Sequence, residues 1–457
     1  MLPNNLQYMN KVESAPARQY TSTVQPLNGT GDYKPNSKCI INIPTSPNTV
    51  LVPSESYLRF KLGGITNGGA LNASIRLDKC GAHGIFQRCR VTHGSTLIED
   101  IDNYGNLVGL MMALQQTTDS FGGKMNILAG TTSSMGLNSG EAICQTVGER
   151  LGANVAIDAV VPDRVYGINL MSYLGSLGGS QYIPLFEMTS APLTLELQLV
   201  DSALKFLCSR AALNVALQNP ANYFKISDVE FVGTFIELSD ESINIIRASQ
   251  GGQPLQYVIQ QYANVPGNDT LPTGAPKSIS LPVSAKYASL KSLFCTIRAN
   301  SGGAVSQYPY SSEHFNLQNW RVRIGSQILP AKQPNSIPEH YAELLKAIGS
   351  LSDINHEPSI NMLNYNVAIP VPSTEAAVGI TTTSKSNCFA LGFDCETYSG
   401  SNKDKIFAGM NTLNSDIFWL MDFNGNGAGA DVNAKFDFYA LYDQVIMFEN
   451  GVTRIVK

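Results

Sequence analysis

One ten-residue segment of this chain occurs twice in related form, and this repeat constrains the possible folds more than any other feature of the sequence. The first box, FQRCRVTHGS, occupies residues 86–95, and the second box, LQNWRVRIGS, occupies residues 317–326. Their offset of 231 residues (318 minus 87) is about half of the 457-residue chain. The identical positions are Gln87 and Gln318, Arg90 and Arg321, Val91 and Val322, Gly94 and Gly325, and Ser95 and Ser326. We therefore predict an internal duplication in which these ten residues have structural roles.

Each box is followed by a predicted helix, so the repeat extends beyond ten residues. After the first box, NYGNLVGLMMALQQ carries apolar residues at helical spacing, and Asp102 or Asn103 is predicted to cap it. After the second box, Ser336 and Glu339 have the spacing of a capping box, followed by HYAELLKAIGSL. The apolar positions of the first helix are Tyr104, Leu107, Val108, Met111 and Leu114.

The rest of both halves reads as short strands. PLTLELQLV, at residues 192–200, alternates leucine with polar residues, which is the period of a half-buried strand. YIPLFEM, at residues 182–188, is also predicted to be a strand. A chain of this length exceeds a single core, and short strands joined by glycine-rich turns are typical of β-sandwiches. We predict a mainly β chain with two tandem sandwiches, short helices and long loops.

A change of period at Ser239 marks the boundary between the halves. SDESINIIRASQ begins with a Ser cap and two acids, and GGQP follows it, so a short linker helix is predicted there. The predicted organisation is an N-terminal arm at 1–24, a first sandwich at 25–240 with a long loop at 118–182, a linker helix and turn at 239–256, and a second sandwich at 257–457 with a loop at 351–385.

Composition excludes several classes of protein. The formal net charge is −5 and only 15% of residues are charged, so the chain carries no strong signal for nucleic-acid binding. The eight cysteines form no CxxC pair, which favours buried thiols and folding in a reducing compartment. The chain starts without the apolar core of a signal peptide, and it has no apolar run of about 18 residues, so no membrane span is expected.

The best motif for chemistry is the segment DFNGNGAGAD at residues 422–431. Asp422, Asn424 and Asn426 match the first half of a calcium-binding EF-hand loop, but position twelve is Asn433, where a bidentate Glu is needed. The flanking residues also read as strands, so we predict a glycine-rich turn and retain these three residues only as weak metal candidates. No catalytic residues and no cofactor are predicted, and the chain is not expected to be an enzyme.

One resemblance to a known family is carried by the first box and its surroundings. GAHGIFQRCRVTHGSTLIEDIDNYGNLVGLMMAL is similar to the strand-pair-then-helix region of double jelly-roll major capsid proteins from small eukaryotic DNA viruses, such as virophages and Polinton-like viruses. In that family a segment of the type Ile-Asp-x-Tyr-Asn enters the helix, and Ile101-Asp102-Asn103-Tyr104 with Asn106 resembles it. WRVRIGSQILP in the second half is similar as well.

The resemblance implies two eight-stranded jelly rolls and a homotrimeric, pseudo-hexagonal capsomer that tiles an icosahedral shell. It further implies loops that face outward or clasp neighbours, and ends (the arm and VTRIVK) that lie near the inner face. Penton and minor capsid proteins are the implied partners, and the virion is the implied location after assembly in the host cytoplasm or nucleus. Two alternatives stay open: a bi-lobed jelly-roll carbohydrate-binding protein or glycan-active enzyme, and a minor capsid or spike protein.

Overall fold

The computed structural model describes residues 17–65, 75–131, 163–178, 181–209, 224–299, 309–368, 387–397, 408–425, 431–449 and 451–456. The strands of the first half are β1 (Ala17–Val24), β2 (Lys38–Ile43), β3 (Thr49–Gly63), β4 (Ile75–Leu77), β5 (Phe86–His93), β6 (Thr96–Asp102), β7 (Arg164–Ile168), β8 (Leu193–Leu199), β9 (Leu207–Ser209) and β10 (Lys225–Leu238).

The strands of the second half are β11 (Leu255–Leu271), β12 (Pro276–Val283), β13 (Leu290–Ala299), β14 (Leu317–Ile324), β15 (Gln327–Leu329), β16 (Ala390–Asp394), β17 (Ile417–Asn424), β18 (Val432–Glu449) and β19 (Val452–Val456). The helices are α1 (Tyr104–Gln115), α2 (Thr118–Gly122), α3 (Lys124–Ala129), α4 (Asp240–Ser249), α5 (Ile337–Ala347) and α6 (Met362–Tyr365). Among the described residues we find no candidate for a membrane-spanning helix.

The two halves have the same sheet topology. The first half forms sheets β1-β10-β3-β7 and β2-β8-β5-β6, and the second forms β11-β18-β13-β16 and β12-β17-β14-β15. If β4, β9 and β19 are set aside and the eight remaining strands of each half are numbered in chain order, both halves read 1-8-3-6 and 2-7-4-5. Every pairing between these strands is antiparallel. This is jelly-roll connectivity in duplicate: the repeated boxes predicted the duplication, and the family resemblance implied the jelly rolls.

Aromatic side chains join the two sheets of each sandwich. In the first sandwich the rings of Phe60 on β3 and Phe86 on β5 meet edge to face, with centroids 5.5 Å apart. In the second sandwich Trp419 on β17 contacts Phe438 on β18, also at 5.5 Å. Because each pair connects strands of different sheets, the sheets face each other across these cores. The leucines of β8 are fully buried between half-buried polar residues, which confirms the alternation predicted for that strand.

Three segments expected to be loops or arms contain regular elements. Residues 17–24 of the predicted arm form β1, which pairs along its whole length with β10. The predicted loop at 118–182 contains α2, α3 and β7, and α6 lies in the predicted loop at 351–385. Near the C-terminus, Val452–Val456 pairs with β18. Residues 1–16, 132–162, 179–180 and 369–385 of these predicted segments lie outside the described residues.

Local predictions at helix ends were partly wrong. Ser239 caps α4 as predicted, because its hydroxyl accepts a hydrogen bond from the backbone N–H of Ser242 at 3.2 Å. Ser336 occupies the N-cap of α5 without a side-chain cap bond, and Glu339 accepts from the backbone N–H of Asn335 instead, at 2.9 Å. The predicted strand at 182–188 is a single 3₁₀ turn, Leu185–Glu187, since the proline before it ends extended pairing.

Candidate functional site

The two boxes occupy equivalent places in the two sandwiches. Each box supplies the fourth strand and the turn to the fifth, in the order β5, turn, β6 and β14, turn, β15. Val91 and Val322 are fully buried in their respective cores. Gly94 and Gly325 form the turns with φ of 57° and 58°, a left-handed conformation that favours glycine. The two boxes therefore occupy equivalent strand-and-turn positions in separate sheets, and they do not come together in one site.

The polar residues of the boxes have diverged. Arg90 lies 3.3 Å from Asp100 on the neighbouring strand, whereas Arg321 donates to the side chain of Gln333 at 2.5 Å. Gln87 donates to Asp102 and Asn103 at 3.0 Å, while Gln318 is exposed. Ser95 and Ser326 are both exposed in their turns. The equivalent arginines and glutamines therefore have different neighbours in the two sandwiches.

The weak metal candidates do not form a coordination site in the part of the chain that is described. Asp422 and Asn424 belong to β17, where they pair opposite Ser278 and Pro276 of β12. Asn426 lies outside the described residues. Within the described ranges, no group of three or more His, Cys, Asp or Glu side chains is arranged to hold a metal ion. In an extended strand Asp422 and Asn424 share one face, but the straight backbone does not curl around a common point as the first positions of a calcium-binding loop do.

The feature that unites the molecule is the junction between the two sandwiches, and helix α1 is its centre. Residues Tyr104 to Leu114 of α1 are buried on every side, although the sequence predicted a helix with one apolar stripe. Asn106 of α1 donates to Thr296 Oγ1 and Tyr439 Oη of the second sandwich, each at 2.9 Å. The helix therefore belongs to the first sandwich by sequence and to both sandwiches by packing.

Asn103, the residue before α1, is held in the junction by its side chain. Its backbone is left-handed, with φ of 47°, and its side chain makes no capping bond, so the predicted capping role was wrong. The amide nitrogen donates instead to Asp437 Oδ1 at 3.0 Å and to Asn264 Oδ1 at 3.2 Å. Lys435 donates to the amide oxygen at 3.1 Å. Asn tolerates the left-handed region better than most residues, which is the one sequence signal that could have identified this position.

Asp437 is the charged centre of the junction. Its side chain is fully buried and is ion-paired with Arg298, whose side chain is 13% exposed. Lys435 Nζ lies 3.4 Å from its other oxygen. Burial opposes the charge of Arg298, but the Asp437 carboxylate outweighs it and leaves the pKa of the guanidinium raised. This group satisfies the charge of a buried carboxylate with partners from both sandwiches.

Three further contacts fasten the two sandwiches to each other. Tyr310 of the second sandwich donates its backbone N–H to Asp78 and its hydroxyl to the Gly84 carbonyl, both at 2.8 Å. Lys79 is buried and donates to the carbonyl of Asn387 at 2.7 Å. At the opposite end of the chain, the carbonyl of Gly451 accepts from the hydroxyl of Ser190 at 2.6 Å. These bonds span more than two hundred residues of sequence and hold the two sandwiches together.

The buried titratable groups near the junction are adapted to structure. Burial lowers the pKa of His83 to about 3, and its ring nitrogen lies 3.2 Å from the Tyr104 hydroxyl. Burial also lowers the pKa of His340 to about 4, and this ring pairs with the indole N–H of Trp320. Burial raises the pKa of Glu99 to about 7, against the hydrogen bonds that it accepts from Ser172 and the Tyr173 backbone. The lowered pKa values of the two buried rings and the raised pKa of the buried carboxyl are consistent with packing roles.

Comparisons with known proteins agree with this architecture. No protein-family model matches the chain, and no curated protein matches it. Among solved structures, the crystal structure of PBCV-1 VP54 fitted into a reconstruction of the virophage Sputnik is similar with a TM-score of 0.62 at 11% identity, covering 99% of this chain and 100% of that one.

Two virophage structures are similar to the same degree. The Sputnik virophage structure gives a TM-score of 0.61 at 11% identity, covering 100% of this chain and 91% of that one. The mavirus major capsid protein gives 0.58 at 10% identity, covering 100% and 93%. At these identities the likeness establishes the fold: the chain is a double jelly roll of the type found in these viral proteins.

Proposed function

We propose that this chain is a structural major capsid protein, which forms homotrimeric, pseudo-hexagonal capsomers that tile an icosahedral virus shell. The observation that carries the proposal is the pair of sandwiches with identical strand order, fixed to each other through α1 and Asp437. The similar structures include a major capsid protein by name, and the expectation from the first box points to the same class.

Geometry explains why such a chain suits a shell. Three copies of a chain with two similar sandwiches present six similar units around a threefold axis, and a closed trimer can then pack as a hexagon. This tile needs a constant angle between its two sandwiches. Buried charges and hydrogen bonds at the junction fix this angle. Loosening these interactions would leave Asp437 and Arg298 unpaired in the interior.

The two sandwiches differ in how they pack their helices, and this difference supports the proposal that they occupy inequivalent positions in the capsomer. Helix α1 is buried on all sides, whereas its counterpart α5 buries only His340, Leu344 and Ala347. In a trimer each sandwich meets a different sandwich of its neighbour, so the two copies need different surfaces on a shared frame.

Exposed apolar side chains support the proposal that the two long connections, the predicted loops at 118–182 and 351–385, contact other molecules. In the first connection Ile127 is 72% exposed, and in the second Leu351, Ile354 and Met362 are 50%, 96% and 63% exposed. Apolar side chains concentrated in this way mark surfaces that partners cover. We infer that these connections contact neighbouring copies, and that penton and minor capsid proteins complete the shell. The chain would then reside in the virion after assembly in the host cytoplasm or nucleus.

Light scattering on the purified full chain tests the proposal. We expect a particle with three times the 49.3 kDa mass of the chain, and hexagonal outlines in electron micrographs. Ile354→Ser should weaken association between tiles or between chains, while Asp353→Ser in the same loop serves as the matched control. A chain that stays monomeric at high concentration contradicts the proposal. A low copy number in purified particles would favour a minor capsid or spike protein instead.

A further inference from the structure

A second group of buried charges lies inside the second sandwich, apart from the junction cluster around Asp437. Lys291 lies on β13, Asp443 on the adjacent strand β18, and Glu396 follows the end of β16. The Lys291 side chain is 2% exposed, that of Asp443 is 1% exposed, and that of Glu396 is 9% exposed. One amine and two carboxyl groups therefore share a space that is nearly closed to water.

The atoms of this group are close together but incompletely bonded. Lys291 Nζ lies 2.8 Å from Glu396 Oε1 and 3.8 Å from Asp443 Oδ1. Neither Lys291 Nζ nor Asp443 Oδ1 has a partner in hydrogen-bond geometry. Buried polar atoms in native proteins are almost always satisfied, so two unsatisfied atoms facing each other call for an explanation.

The backbone holds the amine and the carboxyl in place. The register of β13 against β18 shifts between Leu290 and Ser292, so Lys291 is the inserted residue of a bulge. The backbone N–H of Asp443 donates to the Ser289 carbonyl at 3.0 Å, and the hydroxyl of Ser289 donates to Asp443 Oδ2 at 2.7 Å. Both reacting groups are thus presented by rigid strands, and bulges commonly re-aim a side chain in this way.

From this geometry we propose that Lys291 and Asp443 condense in the folded chain to an intramolecular amide, with Glu396 as the catalytic proton carrier. The bond would cross-link β13 to β18 within one sheet of the second sandwich. The proposal concerns a covalent modification of the chain and does not depend on the capsid role.

The chemistry balances without an oxidant or any other reactant. Glu396 takes a proton from the Lys291 ammonium and passes it to the Asp443 carboxylate, and the freed nitrogen lone pair attacks Cγ of the protonated carboxyl. The nitrogen then loses its second proton to Glu396, which gives this proton to the leaving hydroxyl as the carbon–oxygen bond breaks. One water is released, and Glu396 returns to its starting state. The charges of one ammonium and one carboxylate disappear together in the neutral amide.

The environment favours this reaction in two ways. Burial raises the pKa of Asp443, while Ser289 and Lys291 act to lower it, and the protonated carboxyl is the better electrophile. Fixed strands also replace a bimolecular encounter with an intramolecular one, which raises effective concentration by orders of magnitude. Removal of bulk water suppresses the reverse hydrolysis.

The same sandwich contains a matched pair that should not react. Lys277 Nζ lies 2.5 Å from Asp269 Oδ1, closer than Lys291 to Asp443, but the two side chains are 32% and 29% exposed. Water reaches both groups there. This pair therefore separates the effect of burial from the effect of proximity in one molecule.

Intact-mass spectrometry of the denatured full chain tests the proposal. We expect a mass lower than that of the sequence by one water, about 18 Da. Tryptic digestion should yield a branched peptide that joins Lys291 to Asp443, while Lys277 and Asp269 appear in ordinary linear peptides. Lys291→Arg should restore the full mass, and Glu396→Gln should restore it or slow the loss at least tenfold while the chain stays folded by circular dichroism.

The wild-type chain alone is sufficient to decide. A folded, aged sample with the full sequence mass and with tryptic cleavage after Lys291 overturns the proposal and leaves a buried ion group in its place. A loss of one water that maps to any other pair of residues overturns it equally. If Lys291→Arg fails to fold, the branched peptide in the wild-type digest remains the deciding measurement.

Discussion

Replacing Asp437 with asparagine should weaken the second sandwich more than any exposed charge change. The variant Asp437→Asn removes the carboxylate that is fully buried beside Arg298, while it keeps the size of the side chain. Lys435 and the amide of Asn103 also lose a charged partner. Because the cations stay in the interior without a counter-charge, the folded state alone bears the penalty.

The expected size follows from the burial of the partners. Removing one member of a buried ion pair typically costs about 3–5 kcal/mol. The Arg298 side chain is 13% exposed and lies over the ring of Tyr310. Hydration and the contact with the ring therefore still stabilise the guanidinium charge in the variant and offset part of the lost free energy. We therefore expect the free energy of unfolding to fall by about 3 kcal/mol, at the lower end of that range.

Tryptophan fluorescence during urea denaturation measures this change. The chain has two tryptophans, Trp320 and Trp419, and both lie in the core of the second sandwich with ring centroids 5.4 Å apart. Their signal therefore reports unfolding of the sandwich that contains Asp437. Asp269→Asn is the control, because its exposed pair with Lys277 should contribute less than about 1 kcal/mol.

A loss for Asp437→Asn as small as the control loss would refute the view that the junction depends on a buried charge. A double variant, Asp437→Leu with Arg298→Met, distinguishes the remaining possibilities. If burial of an unpaired charge is the cause, the double variant should recover most of the lost stability, since well-packed apolar replacements of buried ion pairs are often neutral.

Three other outcomes are expected. Gly94→Ala and Gly325→Ala should each cost about 1–2 kcal/mol in urea denaturation because both turns are left-handed; equal stability would contradict the turn assignment. Burial raises the pKa of Glu99 to about 7, above its ordinary value of 4.5. Between these two pH values the carboxyl is ionised in the unfolded chain but still protonated in the folded chain. The free energy of unfolding should therefore fall by about 3 kcal/mol as the pH rises from 4.5 to 7. Glu99→Gln should flatten this decline, and an unchanged pH profile would exclude Glu99 as its source. Cys39 and Cys89 should resist thiol reagents until the chain unfolds, because burial raises both thiol pKa values, that of Cys39 to about 12; labelling of the native chain would contradict their burial.

The architecture was predictable from local patterns because a jelly roll is built from them. Alternating leucines specify which face of β8 is buried, and the glycines of the two boxes specify where β5 and β14 turn. Two copies of one box, each followed by a helix, were sufficient to predict two equivalent sandwiches. Strand order within each sheet was not readable, since pairing partners such as β3 and β10 are separated by long intervening segments.

The boundaries of loops were the weakest predictions. Ala17–Val24 has few apolar residues, and it is a strand only because β10 offers a complete antiparallel edge for it. Strand β7 lies within a glycine- and serine-rich region, and its partner β3 determines its conformation. In both cases tertiary pairing decides the structure of a segment whose own pattern is weak.

The class of the molecule follows from local patterns in the chain: two β-sandwiches, turned by glycines and filled by alternating apolar residues, with a helix after each box. The way in which the sandwiches meet depends on contacts that form only in the folded chain. Asn103, Arg298 and Asp437 are far apart along the chain, and nothing local marks them as partners. A buried charge becomes tolerable only when distant elements bring its counter-charges to it, so such a group can be seen only in the folded chain.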